Sequence, residues 1–187
     1  MLYLIGGAAR SGKSTLARRL LDAYRLPCFC LDYLTSGLEE GAPRLGVRHE
    51  LPDRRRGELV WPIVRGLLRN VVEVEPGYVV EGDVLLPSTI AEFAAARQGR
   101  VRACFLGYSR CAADAKRASI RAFPSAVNDW VAGRSDRDLE DLVVEMQEFS
   151  RYLESECERC GTRYFDGSVS FTDALRRAEE YLVGGGQ

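Results

Sequence analysis

The sequence has no long apolar run: the roughly 18 apolar residues that a membrane-spanning helix needs occur nowhere in succession. It also lacks an excess of charge of either sign. Its 26 Lys and Arg offset 27 Asp and Glu, for a formal net charge of -1. No global basic field is available to hold a polyanion by counterion release, which disfavours a dedicated nucleic-acid binder. No basic segment precedes the short apolar stretch at the N-terminus, so that stretch reads as a strand and not as a secretory signal, and a cytoplasmic location is expected. Histidine is nearly absent, with His49 the only one. The lone pair Cys157 and Cys160 would need two further ligands to hold zinc, and His49 is far away in sequence. The six cysteines are therefore expected to be small buried hydrophobes rather than bridges or ligands. No internal repeat and no interdomain linker is found. A length of 187 residues suits one domain with a full core better than two, so a single domain over 1–187 is expected.

What is there is ordinary globular composition, 46% hydrophobic and 28% charged, in which apolar runs of strand length alternate with helical patterns. That alternation predicts a parallel sheet flanked by helices, an α/β fold. Strands are expected over Leu2–Ile5, Cys28–Leu31, Tyr78–Val80, Val101–Leu106 and Arg163–Phe165. A helix is expected over Ser14–Tyr24, with Leu16, Ala17, Leu20 and Leu21 at helical spacing. Another is expected over 57–74, where Pro62 falls one turn in and its missing donor costs little. Further helices are expected from Pro87 to about Arg97, over about 110–122 ended by Pro124, from a cap at Asp136 to about Cys157, and from a cap at Thr172 to Leu182. Residues 35–57, rich in Gly, Pro and charge, read as irregular or partly helical.

Between the first strand and the first helix lies Gly7-Ala8-Ala9-Arg10-Ser11-Gly12-Lys13-Ser14-Thr15. It matches G-x-x-x-x-G-K-[ST], the phosphate loop, in the strand–turn–helix context that this motif requires. Glycines allow backbone angles that turn successive N–H groups toward one anion, and the start of the helix adds its partial positive charge. Lys13 supplies a mobile cation for the β- and γ-phosphates, and Ser14 a hydroxyl for Mg²⁺. The stretch predicts a nucleoside triphosphate, ATP with Mg²⁺, held by residues 7–15.

On this loop, an acid after the second strand, an arginine-bearing lid and a terminal strand-loop-helix, almost the whole chain resembles the small P-loop kinases of the nucleotide-kinase-like group, such as shikimate, chloramphenicol and nucleotide kinases. Val80-Glu81-Gly82-Asp83-Val84-Leu85-Leu86-Pro87 is similar to a stretch of 2-phosphoglycerate-kinase-like proteins, and Phe105-Leu106-Gly107-Tyr108-Ser109 to the exit of their fourth strand. The resemblance implies a three-layer α/β/α P-loop fold with a five-stranded parallel sheet in the order 2-3-1-4-5 and a short helical lid at about 122–137.

The resemblance also assigns expected roles. Asp32, at the carboxyl end of the second strand, would bind the acceptor hydroxyl or act as its base, with a helix cap as the alternative. Glu81 would hold the Mg²⁺ shell through water or contact the acceptor. Asp83 reads equally well as a turn residue. Arg54, with Arg55 and Arg56, would bind an anionic acceptor, or the run is a solvated charged face. Arg117 and Arg134 of the lid, unranked against Arg121, would neutralise the transferring phosphoryl group, with Pro124 and Gly133 as hinges. Asp166 and Gly167 would wrap the adenine, although an ordinary turn predicts the same letters. His49 is similarly placed to the arginines, with a surface or packed role as the alternative.

The implied function is ATP-dependent transfer of a phosphoryl group to a hydroxyl or phosphate of a small-molecule acceptor, by a monomer or homodimer that needs neither nucleic acid nor membrane. The rival is a nucleotide-binding switch or ATPase that acts through a protein partner.

Overall fold

The computed structural model describes residues 1–123, 131 and 133–184. Five strands, β1 Leu2–Gly7, β2 Cys28–Cys30, β3 Tyr78–Glu81, β4 Val101–Gly107 and β5 Arg163–Asp166, form one sheet. Every pairing is parallel and the order is β2-β3-β1-β4-β5, as expected. The connecting helices are α1 Lys13–Tyr24, α2 Leu31–Gly41, α3 Asp53–Val74, α4 Pro87–Ala95, α5 Ala113–Ala122, α6 Asp136–Cys160 and α7 Phe171–Val183.

The alternation of side chains along each strand builds the two core layers. Leu2 and Leu4 of β1, with Ala103 and Phe105 of β4, face Val60, Val64 and Leu68 of α3, Ile90 and Phe93 of α4, and Met146 and Leu153 of α6. Ile5, Cys104 and Leu106 face the opposite way, onto Leu16 and Leu20 of α1 and Leu175, Ala178 and Leu182 of α7. A small third cluster joins Ile120 of α5 to Leu139 and Val143 of α6. Both faces of the sheet are covered, the arrangement that parallel strands require. Among the described residues no helix is long and apolar enough to cross a membrane.

Three local expectations differ from what forms. The segment after β2 is helical at once, so Asp32 is the second residue of α2 and not a strand terminus. Leu31 and Thr35 are buried on its inner face with Leu34 and Leu38 packed beside them. This is an i, i+3, i+4, i+7 pattern that Gly37 and Gly41 obscure in the sequence. Helix α3 begins at Asp53 rather than at 57, because Asp53 favours the positive helix end and pairs with Arg56 one turn on. Pro62 is therefore interior to α3, where it has no N–H to give to the Glu58 carbonyl. The caps also shift: Ser135, not Asp136, caps α6, its hydroxyl accepting from the Asp138 amide, and Ser170, not Thr172, caps α7 through the Asp173 amide.

Candidate active site

Strand β1 ends on Gly6 and Gly7, and the chain then turns tightly into α1. Two glycines make the turn possible. A Cβ on Gly7, at φ 149°, would lie 2.4 Å from the Leu106 carbonyl oxygen, and one on Gly12, at φ 99°, would lie 2.7 Å from the Phe171 ring. No other residue type tolerates both the angle and the contact. Helix α1 starts at Lys13, directly behind the loop. Lys13 is 8% exposed, and its Nζ donates to the Ala8 carbonyl at 2.9 Å, so its charge is folded onto the loop it would serve. The Ser14 hydroxyl donates to Glu81 Oε1 at 2.9 Å across the sheet, and Glu81, at the end of β3, is 3% exposed. The Ser11 hydroxyl is buried with no hydrogen-bond partner among the described residues. A glycine cradle, an unsatisfied buried hydroxyl, a lysine and a Ser–carboxylate pair are the donor and ligand set that a polyphosphate and its magnesium fit.

The rim of the loop is held from the exit of β4 and from α5. The Tyr108 hydroxyl donates to the Ala9 carbonyl at 2.7 Å. Lys116 Nζ donates to the Arg10 carbonyl at 2.9 Å and stands 3.7 Å from the centre of the Tyr108 ring, a cation–π contact. Lys116 thus brings a second ammonium to the loop from α5. The expectation set Lys116 beside the arginines of this helix but gave the role to Arg117. A positive residue just after β4 and its loop was the available signal, but nothing in the spacing separates position 116 from 117.

On the other side of the loop, the carboxyl ends of β2 and β3 and the start of α3 converge. Arg56 is 6% exposed. Its Nη2 donates to Asp53 Oδ1 at 2.6 Å and to Asp83 Oδ2 at 2.9 Å. Its Nη1 donates to the carbonyls of His49, at 3.0 Å, and Leu51, at 3.2 Å. Asp32 is exposed to solvent, yet crowding on its flanks disfavours its charge. That desolvation, then the negative field of Asp83, pushes its carboxyl up to about 6 against the opposing pull of Lys13. Burial and the same Asp83 charge push Asp53 up to about 6, with Arg56 opposing.

The structure brings Gly7–Thr15, Asp32 and Glu81 to one edge of the sheet, the edge at which ligands of open α/β sheets bind. Asp83, read as a turn residue or a site residue, joins them through Arg56. Arg54 does not come in: it is exposed, pairs with Glu58 and lies 5.1 Å from the centre of the Tyr152 ring. The member of the arginine run that points inward is Arg56, because the helical turn from Asp53 places it on the buried face with Gly57 and Val60. Arg117 is engaged between Asp114, at 3.0 Å, and Glu140, at 3.2 Å. Arg134 is exposed, and its carbonyl accepts from the Arg121 guanidinium at 2.7 Å. Of the segment 122–137 read as a lid, residues 124–130 and 132, Pro124 included, lie outside the described residues. His49 is exposed and contacts Glu39.

Asp166 ends β5 and ties the loop that follows to the exit of β4. Its Oδ2 accepts from the Ser109 amide at 2.9 Å and the Ser109 hydroxyl at 2.6 Å. Its Oδ1 accepts from the Ser168 amide at 2.7 Å. Partial burial opposes the charge, but these bonds hold the carboxyl below its ordinary range. The Gly167 amide donates to the Gly107 carbonyl at 2.8 Å, so Asp166 acts on the local backbone. Cys157 is buried in the core and Cys160 half-buried, both as free thiols.

No family model matches the chain, and no curated protein matches it in sequence. Solved structures do match it in shape. A shikimate kinase from Bacteroides thetaiotaomicron superposes with a TM-score of 0.58 at 18% identity, covering 96% of this chain and 97% of that one. A gluconokinase from Sinorhizobium meliloti 1021 gives 0.59 at 17% identity, covering 97% and 91%. A shikimate kinase from Acinetobacter baumannii in complex with shikimate gives 0.56 at 11% identity, covering 99% and 93%. At these identities the likeness is one of fold, and the fold is that of the small P-loop kinases.

Proposed function

We propose that the chain is an ATP-dependent kinase that transfers the γ-phosphoryl group to a hydroxyl of a small-molecule acceptor. The observation that carries the reading is one sheet edge on which a complete phosphate loop, the Ser14–Glu81 pair and the Asp32 carboxylate stand together. The fold it shares with shikimate kinase and gluconokinase structures supports the same reading.

In this reading the amides and side chains of Gly7–Thr15 bind the polyphosphate, and Lys13 leaves the Ala8 carbonyl to place its ammonium on the phosphates. Magnesium, when bound with the nucleotide, supplies charge neutralisation on the phosphate oxygens; Ser14, and Glu81 through water, are the residues that would hold it. Asp32 orients the acceptor hydroxyl and takes its proton as the oxygen forms its bond to phosphorus and ADP leaves. Lys116, already on the loop, stabilises charge on the transferring group. Arg117 joins it only by leaving Asp114 and Glu140, and Arg134 is the second lid arginine of this reading. Asp166 and Gly167 shape the turn beside which the adenine lies. One domain over 1–187 with a lid at about 122–137 belongs to the same reading.

The test is phosphoryl transfer from Mg-ATP into an acceptor library, followed by ³¹P NMR. Transfer should be lost by roughly 10²–10³-fold in Lys13→Ala. In the parent protein kcat/KM should fall as pH drops below about 6, where Asp32 takes up its proton. Asp32→Asn should lower kcat and abolish that acid limb. An unchanged rate in Lys13→Ala removes the mechanism. Bound ATP cleaved only by water, with no acceptor phosphorylated, favours the switch or ATPase.

A further inference from the structure

Among the described residues, Arg56 is the buried cation on the acceptor side of the cleft, and its charge is already committed. Each terminal nitrogen of the guanidinium is engaged twice, Nη1 by the His49 and Leu51 carbonyls and Nη2 by the Asp53 and Asp83 carboxylates. The pairs with Asp53 and Asp83 are 2.6 and 2.9 Å long, and all three side chains are at least three-quarters buried. Arg56 is therefore a strut that fixes α3 against the β3 exit, not a cation presented to a ligand. An anionic acceptor would have to pull it away from two carboxylates, or sit beside them unpaired.

Asp32 enlarges the imbalance. It lies within the electrostatic reach of Asp83, Lys13, Glu81 and Arg56. With Lys13 and Glu81 given to the nucleotide and its metal, three carboxylates, Asp32, Asp53 and Asp83, face one guanidinium. Arg54 and Arg55, the neighbouring cations in sequence, are exposed and pair with Glu58 on the outer face of α3. His49, whose carbonyl accepts from Arg56, contacts Glu39 through its ring.

Resting on the kinase reading above, we infer that the phosphoryl acceptor is a hydroxyl compound without an anionic group, and that an ammonium-bearing polyol fits best, because Asp53 and Asp83 have already neutralised the buried arginine on this side of the cleft. Discrimination of this kind works by repulsion as much as by attraction: the carboxylates reject an acid and give an amine a counter-charge. The hydroxyl that receives the phosphoryl group still loses its proton to Asp32, so the chemistry of transfer is unchanged.

The probes are three hexitol chains that differ only at C1: gluconate with a carboxylate, sorbitol with a hydroxymethyl group and glucamine (1-amino-1-deoxysorbitol) with an aminomethyl group. Ethanolamine and glycolate serve as the smallest amine–acid pair. Each is offered to the protein with Mg-ATP, with transfer followed by ³¹P NMR. Binding is followed in parallel by the thermal midpoint with Mg²⁺ and a non-hydrolysable ATP analogue, which needs no turnover. Glucamine and sorbitol should exceed gluconate by roughly tenfold or more, in kcat/KM or in apparent affinity, since like charges brought together cost at least that much. Ethanolamine should exceed glycolate. The double variant Asp53→Asn with Asp83→Asn should narrow or reverse the order by releasing Arg56, while Arg56→Gln, whose far-ultraviolet CD reports folding, should keep gluconate the poorest.

A preference for gluconate, or equal midpoints across the series in nucleotide-bound protein, overturns the inference and leaves the kinase reading standing. An order unmoved by the double variant takes the discrimination away from Asp53 and Asp83, and with it the inference. Failure to bind the nucleotide at all, or transfer that survives Lys13→Ala, overturns the kinase reading itself.

Discussion

Burial against the Tyr108 ring, aided by the nearby cations Arg10 and Lys13, pushes the Lys116 ammonium down to about 8 against the opposing influence of Cys111. Near pH 8 the group is half protonated before any nucleotide arrives. A polyphosphate on the loop brings negative charge beside it, which favours the charged form and raises the value again. The sign follows: between about pH 8 and the higher value of the complex, binding takes up protons, and affinity weakens as pH rises through that window. Calorimetry of ATP binding at pH 8.5 in buffers of contrasting ionisation enthalpy should reveal the uptake, and Lys116→Gln should abolish it. Equal observed heats in every buffer, corrected for dilution alone, would place Lys116 away from the phosphates. Arg117 carries no such expectation, because its ion pairs with Asp114 and Glu140 keep it on the α5–α6 seam.

At the scale of elements, the capping of α6 tests how sequence letters become structure. Asp136 and Ser135 are both good cap residues by type. The hydroxyl of Ser135 accepts from the Asp138 amide at 3.2 Å, and Asp136, one position inside, contributes through the helix dipole and an exposed pair with Arg121. Ser135→Ala should therefore destabilise the protein by about 1 kcal/mol, and Asp136→Ala by about 0.3–1 kcal/mol, read from urea midpoints at constant slope. A larger loss from Asp136 would return the cap to it. The same competition explains which elements were legible. The strands and the helices α1, α4 and α7 announce themselves by periodicity and by their flanking Pro and Gly. Helix α2 did not, because Gly37 and Gly41 interrupt a pattern whose inner face, Leu31, Leu34, Thr35 and Leu38, is decided by packing on the sheet. The committed state of Arg56 in the first turn of α3 depends on a tertiary tie to Asp83, 27 positions away, which no local window contains.

For the whole molecule, the phosphate loop was legible because its chemistry is local: nine consecutive residues between a strand and a helix. The acceptor side was only partly so. Asp32 and Glu81 could be placed at strand ends, but the committed state of Arg56, the inward turn of that arginine instead of Arg54, and the contact of Lys116 with the loop each depend on chain segments far apart in sequence. Assembly of these parts on one sheet edge makes a prediction about global stability. The loop joins β1 to α1, and its rim is held by Tyr108 and Lys116, so a ligand seated there bridges both core layers and binds the folded state alone. A nucleotide at about 100-fold excess over its Kd adds about 2.7 kcal/mol, which for a domain of this size raises the thermal midpoint by roughly 5–10 °C. The rise should need magnesium, because Ser14 and Glu81 already form the pair that its coordination would use. Chelation with EDTA should return most of the shift, Ser14→Ala should blunt its magnesium dependence, and Lys13→Ala should remove it while leaving the ligand-free midpoint within a few degrees. A midpoint raised equally by ATP in the parent protein and in Lys13→Ala would put the nucleotide somewhere other than the cup between β1 and α1.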